Sequence, residues 1–338
     1  MRTLSDLTRS FEADGRARNF IRYAQAKALG LRHDELPSNF EPFQKASVDA
    51  ATSGNTSALA RLSRDYLAVV ESRTILGRLR GTMPAPPGTN LTGTINDPDG
   101  SFVTAGGLIP AARINFTAAH TEPSLIALIL ALTRDLVRST DDRSTSYVER
   151  VLTRAIRRAE DRLLLDDEAA VSGHRPAGLL HGRSSVGSGS PDTLGDSIYN
   201  LFTAVSDGAA EFPTFVCSPR AAMHLACLTT ASGQLRFPNA GPLGGDIAGV
   251  PLITSPAAGN RLVLIDGAQI VVSDEGMTVD KSDVAAIELD DAPSGSGQLV
   301  AAMQTNSTFL KVLRYIDWRT VNDDAVAFLE LEIDGSPV

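Results

Sequence analysis

Cysteine, long apolar runs and sorting signals are scarce or absent in this chain of 338 residues. Its two cysteines, Cys217 and Cys227, are too few for a disulfide framework, and we expect two buried thiols in a reducing compartment. The amino terminus lacks the apolar core of a signal peptide. The longest apolar run, Leu125 to Leu132, is far shorter than the roughly 20 residues that cross a bilayer. The sequence therefore predicts a protein that folds in a cytoplasm without a membrane partner.

The chain also lacks a basic excess. Its formal net charge is −9 and its isoelectric point lies near 5.1, which argues against a dedicated nucleic-acid-binding surface but leaves room for a local basic patch. Hydrophobic residues make up 43% of the chain, enough for a real core, so disorder throughout is excluded. The length predicts two or three domains.

Motifs of catalysis and cofactor binding are missing as well, including the phosphate-binding glycine loop, the zinc-protease helix motif and the nucleophile elbow. His174 and His181 share a loop-like stretch, but no cysteine or spaced carboxylate joins them as a metal ligand. The acidic run at 166–168 offers paired carboxylates, yet at a helix end solvated side chains are the simpler interpretation. We expect no catalytic site, no cofactor and no metal.

What the sequence does contain is an alternation of helices and strands. Spacings of three and four predict an amphipathic helix over 57–72. A capping box and a long apolar stripe predict a second helix over 144–166, roughly 34 Å long. Thr214–Cys217 is typical of a strand, and Ser218 before a proline is typical of a helix N-cap. Together these elements predict a mixed α+β fold.

Two other segments bear on organisation. The Gly/Ser-rich stretch 182–190 predicts a flexible loop and a domain boundary. The strand at 310–318 carries large apolar residues on both faces: Leu310, Val312, Ile316 and Trp318 on one, Phe309, Leu313 and Tyr315 on the other. A surface strand would leave one face polar, so this strand is central in its sheet or lies at an interface.

Residues 81–110 are crowded with glycine and proline and show no helical periodicity. Strand character at Ser101–Thr104 and Ala112–Phe116 predicts a long hairpin. A two-stranded ribbon is marginal alone in water, so we expect a neighbouring subunit to support it. The expected inter-subunit residues of this hairpin are Arg80, Pro86, Asp97, Phe102 and Ile109.

Four arginines, Arg150, Arg154, Arg158 and Arg162, form a stripe at strict i,i+4 spacing on the predicted long helix. Each neighbouring pair of like charges costs on the order of 0.2–0.5 kcal/mol unless something offsets it. The stripe is either a solvated face or a contact for acidic groups of a neighbouring subunit or for nucleic-acid phosphates.

Several short segments, in one order along the chain, point to a family. They are 67–76, 107–110, the long helix, 175–180 (Arg-Pro-Ala-Gly-Leu-Leu), 217–220, 233–238, 250–256, 264–267, 270–276 and the closing strand 303–319. From about residue 46 onward this arrangement resembles the major capsid proteins of tailed bacteriophages, with the Hong Kong 97 type of shell fold.

The resemblance implies a domain organisation. It gives an amino-terminal arm (1–45), a lead-in helix and strand of a peripheral domain (46–80), an extended-loop hairpin (81–118), the peripheral domain with its spine helix (119–197), an axial domain (198–269), peripheral return strands (270–320) and a last axial strand (321–338). The arm and the hairpin are expected to reach neighbouring subunits.

The resemblance also implies function: self-assembly into hexamers and pentamers of an icosahedral virion shell, built in the bacterial host cytoplasm around double-stranded DNA bound without sequence specificity. A portal and a separate scaffold or cementing protein are the expected partners. The four lysines all lie outside the hairpin, so isopeptide crosslinking is not expected. The alternatives are an encapsulin-like compartment that encloses enzymes and, third, an α+β enzyme.

Overall fold

The computed structural model describes residues 66–86, 90–94, 116–120, 124–133, 142–230, 232–282, 286–288 and 299–333. They form the mixed α+β fold that the sequence predicts. They divide into two compact units. Unit 1 consists of the described parts of 1–77, 125–160 and 276–315, and unit 2 of the described parts of 78–124, 161–275 and 316–338.

In chain order the helices are α1 (Ile75–Arg78), α2 (Asp142–Leu164), α3 (Leu194–Ala204) and α4 (Pro219–Cys227). The strands are β1 (Met83–Pro84), β2 (Asn90–Thr94), β3 (Phe116–His120), β4 (Leu125–Thr133), β5 (Ser188–Gly189), β6 (Pro213–Cys217), β7 (Gly245–Ile247), β8 (Val250–Thr254), β9 (Arg261–Asp266), β10 (Ile270–Ser282), β11 (Ala286–Glu288), β12 (Leu299–Ala301), β13 (Ser307–Thr320) and β14 (Val326–Leu331). Residues 66–71 are also helical. They are the last part of the helix that the sequence predicts over 57–72, and the first part of that helix lies outside the described residues.

The closing strand β13 lies inside a four-stranded sheet of order β1-β10-β13-β4. In unit 1 it pairs antiparallel with β4, from Ser307 opposite Thr133 to Tyr315 opposite Leu125. Large side chains are buried on both of its faces: Phe309, Val312, Leu313, Ile316 and Trp318. The predicted central position is confirmed, because the strand has a neighbour at each edge and burial on each face.

Two charged residues of β13 are buried with the apolar ones, which alternation alone did not predict. Arg314 donates from Nε to Oε2 of Glu160 at 3.1 Å, and its Nη2 lies 3.7 Å from Oε1 of Glu71. Asp317 lies 3.7 Å from Nε of Arg319. Because a charge can be buried only with a partner, β13 and α2 are joined in unit 1 by an ion pair.

Unit 2 contains a six-stranded sheet of order β5-β14-β9-β6-β8-β7. Strand β9 pairs antiparallel with both β14 and β6, and β6 runs parallel to β8. Helices α3 and α4 contribute Leu201 and Leu225, each 0% exposed, to the same apolar cluster as Leu264 and Leu329 of the sheet. The central strands are therefore nearly continuous apolar runs, as burial requires.

The strand-to-helix junction at Ser218 follows the prediction. The Ser218 side chain accepts a hydrogen bond from the backbone N–H of Ala221 at 3.2 Å, and Pro219 takes the first helical position. Proline is favourable there because its missing N–H would have had no partner inside the helix. The side chains of Ala222 and Leu225 then pack into the core of unit 2.

The Gly/Ser-rich stretch 182–190 is not the free loop and boundary that its composition suggests. The N–H of Val186 donates to the carbonyl of Phe328 at 2.9 Å, and β5 pairs in parallel with β14. A Cβ on Gly189 would overlap the backbone oxygen of Glu330. Small residues occur here because the backbone of one strand has to approach another closely.

Candidate functional site

The arginine stripe occupies one exposed strip of α2. Arg150, Arg154, Arg158 and Arg162 are all exposed. Each step of four residues advances about 6 Å along the helix and rotates by about 40°, so the strip is about 18 Å long and winds by about 120° around the helix from Arg150 to Arg162. All four arginines of the predicted stripe are thus exposed side chains of one helix.

The opposite side of α2 faces the core of unit 1. Val148, Leu152 and Ile156 are buried there, each at most 2% exposed. The Tyr66 hydroxyl lies 2.9 Å from Oγ1 of Thr153, and burial raises the pKa of this phenol above its usual value while the hydrogen bond acts in the other direction. These contacts hold the helix in one rotational setting, and the arginines therefore stay outward.

The acidic residues at the carboxyl end of α2 do not neutralise the stripe. Glu160 is 1% exposed and pairs with Arg314. Asp161 is 2% exposed and accepts a hydrogen bond of 2.6 Å from the Ser255 hydroxyl. Helical spacing places Asp161 on the side of α2 that carries Arg150 and Arg154, but its burial shows that it does not share their exposed surface. Among the described residues, no ion pair joins any of the four arginines to a carboxylate.

The predicted hairpin is present as the antiparallel pair β2–β3, with Asn90 opposite His120 and Thr94 opposite Phe116. Its described arms are 90–94 and 116–120. The predicted strand 112–116 overlaps β3 at Phe116, and the predicted strand 101–104 lies outside the described residues. Of the residues proposed for inter-subunit contact, Arg80 and Pro86 are exposed, whereas Asp97, Phe102 and Ile109 lie outside the described residues.

The chain that leads into the hairpin is fixed to unit 2. Met83 pairs in parallel with Val271, and the N–H of Ala85 donates to Val272 at 2.8 Å. A Cβ on Gly267 would overlap the backbone oxygen of Arg80, so the two backbones touch. The base of the hairpin is thus part of a packed unit, while the Arg80 side chain points into solvent.

The segment 175–180 folds back on the end of α2. Arg175 donates to both carboxylate oxygens of Asp166, at 2.6 and 2.7 Å. The N–H of Leu179 donates to the carbonyl of Leu164 at 2.8 Å and so satisfies one of the last free carbonyls of the helix. A Cβ on Gly178 would overlap the Asp166 backbone oxygen. Asp166 therefore has a structural partner and is not simply solvated as predicted.

Among the described residues, side chains that could bind a metal or act as nucleophiles are few and lie apart from one another. In the part of the chain that the structure describes, no cluster of three or more His, Cys, Asp or Glu side chains is arranged to hold a metal. The His181 Nδ1 lies 2.9 Å from the carbonyl of Asp167, and His174 is exposed. Both cysteines are free; Cys217 is buried, but Cys227 is exposed, contrary to the expectation of two buried thiols.

No helix among the described residues is long and apolar enough to span a membrane.

Comparison with known proteins gives the family. The model of the Phage capsid family matches residues 63–331. No curated protein matches the chain at a significant level.

Solved structures of phage proteins share the fold. A chain of Gordonia phage Cozz superposes with a TM-score of 0.54 at 13% identity, covering 86% of this chain and 97% of its own. A chain of Microbacterium phage Oxtober96 gives 0.53 at 14% identity, covering 75% and 90%. A chain of Mycobacterium phage Ogopogo gives 0.51 at 16% identity, covering 77% and 92%.

At these identities the solved structures support the fold alone. The family match spans most of the chain and shows which family the chain belongs to. The interpretation drawn from the order of short motifs is thereby confirmed, and the protein is structural and not an enzyme. The chain belongs to the phage capsid family and is a major capsid protein, a subunit of a phage-like icosahedral head.

Proposed function

We propose that the chain assembles into hexamers and pentamers that close the shell around double-stranded DNA. In this assembly, residues 198–269 act as the axial domain, α2 acts as the spine helix of the peripheral domain, and the β2–β3 hairpin is the extended loop. The arm before residue 46 reaches a neighbouring subunit.

The hairpin is the observation that carries the proposal. Its arms pair over five residues, and in the described part of the chain no third strand joins them. An isolated two-stranded ribbon is marginal in water. A neighbouring copy of the chain supplies the missing support, and the exposed side chains of Arg80 and Pro86 at its base take part in the contact together with Asp97, Phe102 and Ile109.

Other partners follow from the same assembly. A portal occupies one vertex, and a separate scaffold or a cementing protein assists a shell that is held by noncovalent contacts. The DNA is bound through its phosphates without sequence readout, since contacts to phosphates carry no sequence information.

Shortening the hairpin tests the proposal. Thr94 and Phe116 are paired opposite one another, so an Asn-Gly turn can join them in place of 95–115 without disturbing β2 or β3. We expect a folded subunit, with the wild-type thermal midpoint, that forms no stable shells in electron microscopy. Normal particles from this variant would exclude the hairpin as a necessary contact.

The contents of wild-type particles test the DNA part. Nuclease-protected double-stranded DNA of no fixed sequence is the expected result. Particles that hold a defined protein cargo and no DNA would favour the compartment alternative.

A further inference from the structure

We propose that the arginine stripe of α2 binds the phosphate backbone of the DNA inside the shell. This inference rests on the proposed function, since it requires that the shell enclose DNA, and it assigns the residues that make the contact. The contact is electrostatic and independent of base sequence.

The first argument is geometric. The four guanidinium groups lie on one exposed strip of a helix whose other side is buried by Val148, Leu152 and Ile156. The strip is about 18 Å long. One strand of a DNA duplex carries a phosphate every 3.4 Å or so along its axis, so about five phosphates span the same length. Four arginines, spread over about 120° of the helix, are thus matched to a similar length of phosphate backbone.

The second argument is charge. Glu160 and Asp161, which lie in the last turns of α2, are buried and engaged elsewhere, Glu160 by Arg314 and Asp161 by Ser255. The stripe therefore remains a positive strip on a chain whose net charge is −9. An acidic shell repels DNA as a whole, and a local basic strip is what such a shell needs wherever DNA touches it.

The third argument is the residue types. A guanidinium group presents a planar fork of N–H donors that matches a phosphate, often with two hydrogen bonds. Tyr147, which is 58% exposed, lies three residues before Arg150 and hence beside it on the helix surface. Tyrosine hydroxyls are common donors to DNA phosphates, so Tyr147 extends the strip by one more contact.

A second copy of the chain is the competing partner, and the composition of the strip argues against it. The centre of a protein–protein interface is depleted of charge and enriched in apolar side chains. Here charge runs along the whole strip, from Arg150 to Arg162, with no apolar patch at its middle. A polyanion fits this pattern better than a protein surface does.

The test is the salt dependence of DNA binding by the purified, unassembled full-length chain, with a short duplex of arbitrary sequence as the probe. Each phosphate contact adds about 0.9 to the magnitude of the slope of log affinity against log salt. We expect Arg154→Gln with Arg158→Gln to make the slope shallower by about 1.8 and to weaken binding at low salt. Arg154→Lys with Arg158→Lys keeps the charge and should keep the slope.

Arg73→Gln with Arg220→Gln is the matched control, because it removes the same charge from two exposed positions off the stripe. A wild-type slope in the stripe variant, or an equal change in the control, would overturn the inference. A stripe variant that binds DNA normally but forms no shells would also overturn it and make the stripe a subunit contact. Failure of the proposed function looks different: the wild-type chain itself would form no shells with DNA.

Discussion

Glu160 and Arg314 are 154 positions apart in the chain and form an ion pair in which each side chain is only 1% exposed. Removing one member of such a pair leaves the other charge buried, which typically costs about 3–5 kcal/mol. We expect Glu160→Leu to lower the free energy of unfolding of the unassembled subunit by about that amount, measured in urea. Glu71, 3.7 Å from the same guanidinium, offsets part of the loss.

The double variant Glu160→Leu with Arg314→Met is the control for this pair. Replacing both charges with apolar groups of similar volume is often close to neutral. The double variant should therefore be more stable than Glu160→Leu alone. If the double variant loses as much unfolding free energy as Glu160→Leu and Arg314→Met lose together as single variants, the two side chains are not energetically coupled.

Gly178 tests the fold-back at the end of α2. Alanine at 178 would push a methyl group into the Asp166 backbone oxygen, and overpacking of this kind costs about 1–3 kcal/mol. Gly178→Ala should lower the thermal midpoint of the subunit. Gly195→Ala is the matched control: nothing lies within 4 Å of its added Cβ, and in helix α3 alanine should be neutral or slightly stabilising. Equal losses in both variants would contradict the packing argument.

Ser218 and Thr193 form a natural comparison of helix caps. The Ser218 side chain accepts the N–H of Ala221, whereas the Thr193 side chain makes no capping hydrogen bond at the start of α3. We expect Ser218→Ala to cost about 1 kcal/mol of unfolding free energy, since it leaves an N–H without a partner. Thr193→Ala should change stability by less than about 0.5 kcal/mol. A reversed order would show that the side-chain bond is not what stabilises α4.

Thiol labelling should separate the two cysteines. Burial raises the pKa of Cys217 to about 12, so at pH 8 it is a buried, protonated thiol, and the thiolate is the species that reacts. Cys227 is exposed. A maleimide should therefore label one site per native unassembled subunit and two after denaturation. Cys227→Ser should abolish the native label; a remaining label would mean that the region around Cys217 opens.

Much of the fold follows from local pattern. Helix α2 begins and ends two residues before the predicted limits, because its apolar stripe is a property of neighbouring residues. The predicted capping box is wrong, since Ser146 lies inside the helix and not at its start. The central placement of β13 follows from its two apolar faces. The strand-to-helix turn at Ser218 follows from capping chemistry. In each case the signal lies within one element.

The contacts that sequence reasoning missed join distant parts of the chain. Nothing local marks Arg314 as buried, since its partner Glu160 is on another element. The same holds for Asp161 and Ser255. The small residues of 182–190 predicted a flexible backbone, whereas Gly189 is small because another strand lies against it. Composition cannot separate a glycine that permits motion from one that permits close approach.

The strand order of unit 2 has a consequence for synthesis. Strand β14 (Val326–Leu331) lies between β5 and β9, so it inserts between strands that the ribosome has made much earlier. Until it arrives, β9 has an open edge that could pair with another nascent chain. The sheet closes only when β14 has been synthesised, so a nascent chain that stops short of residue 331 cannot reach the final strand order of unit 2.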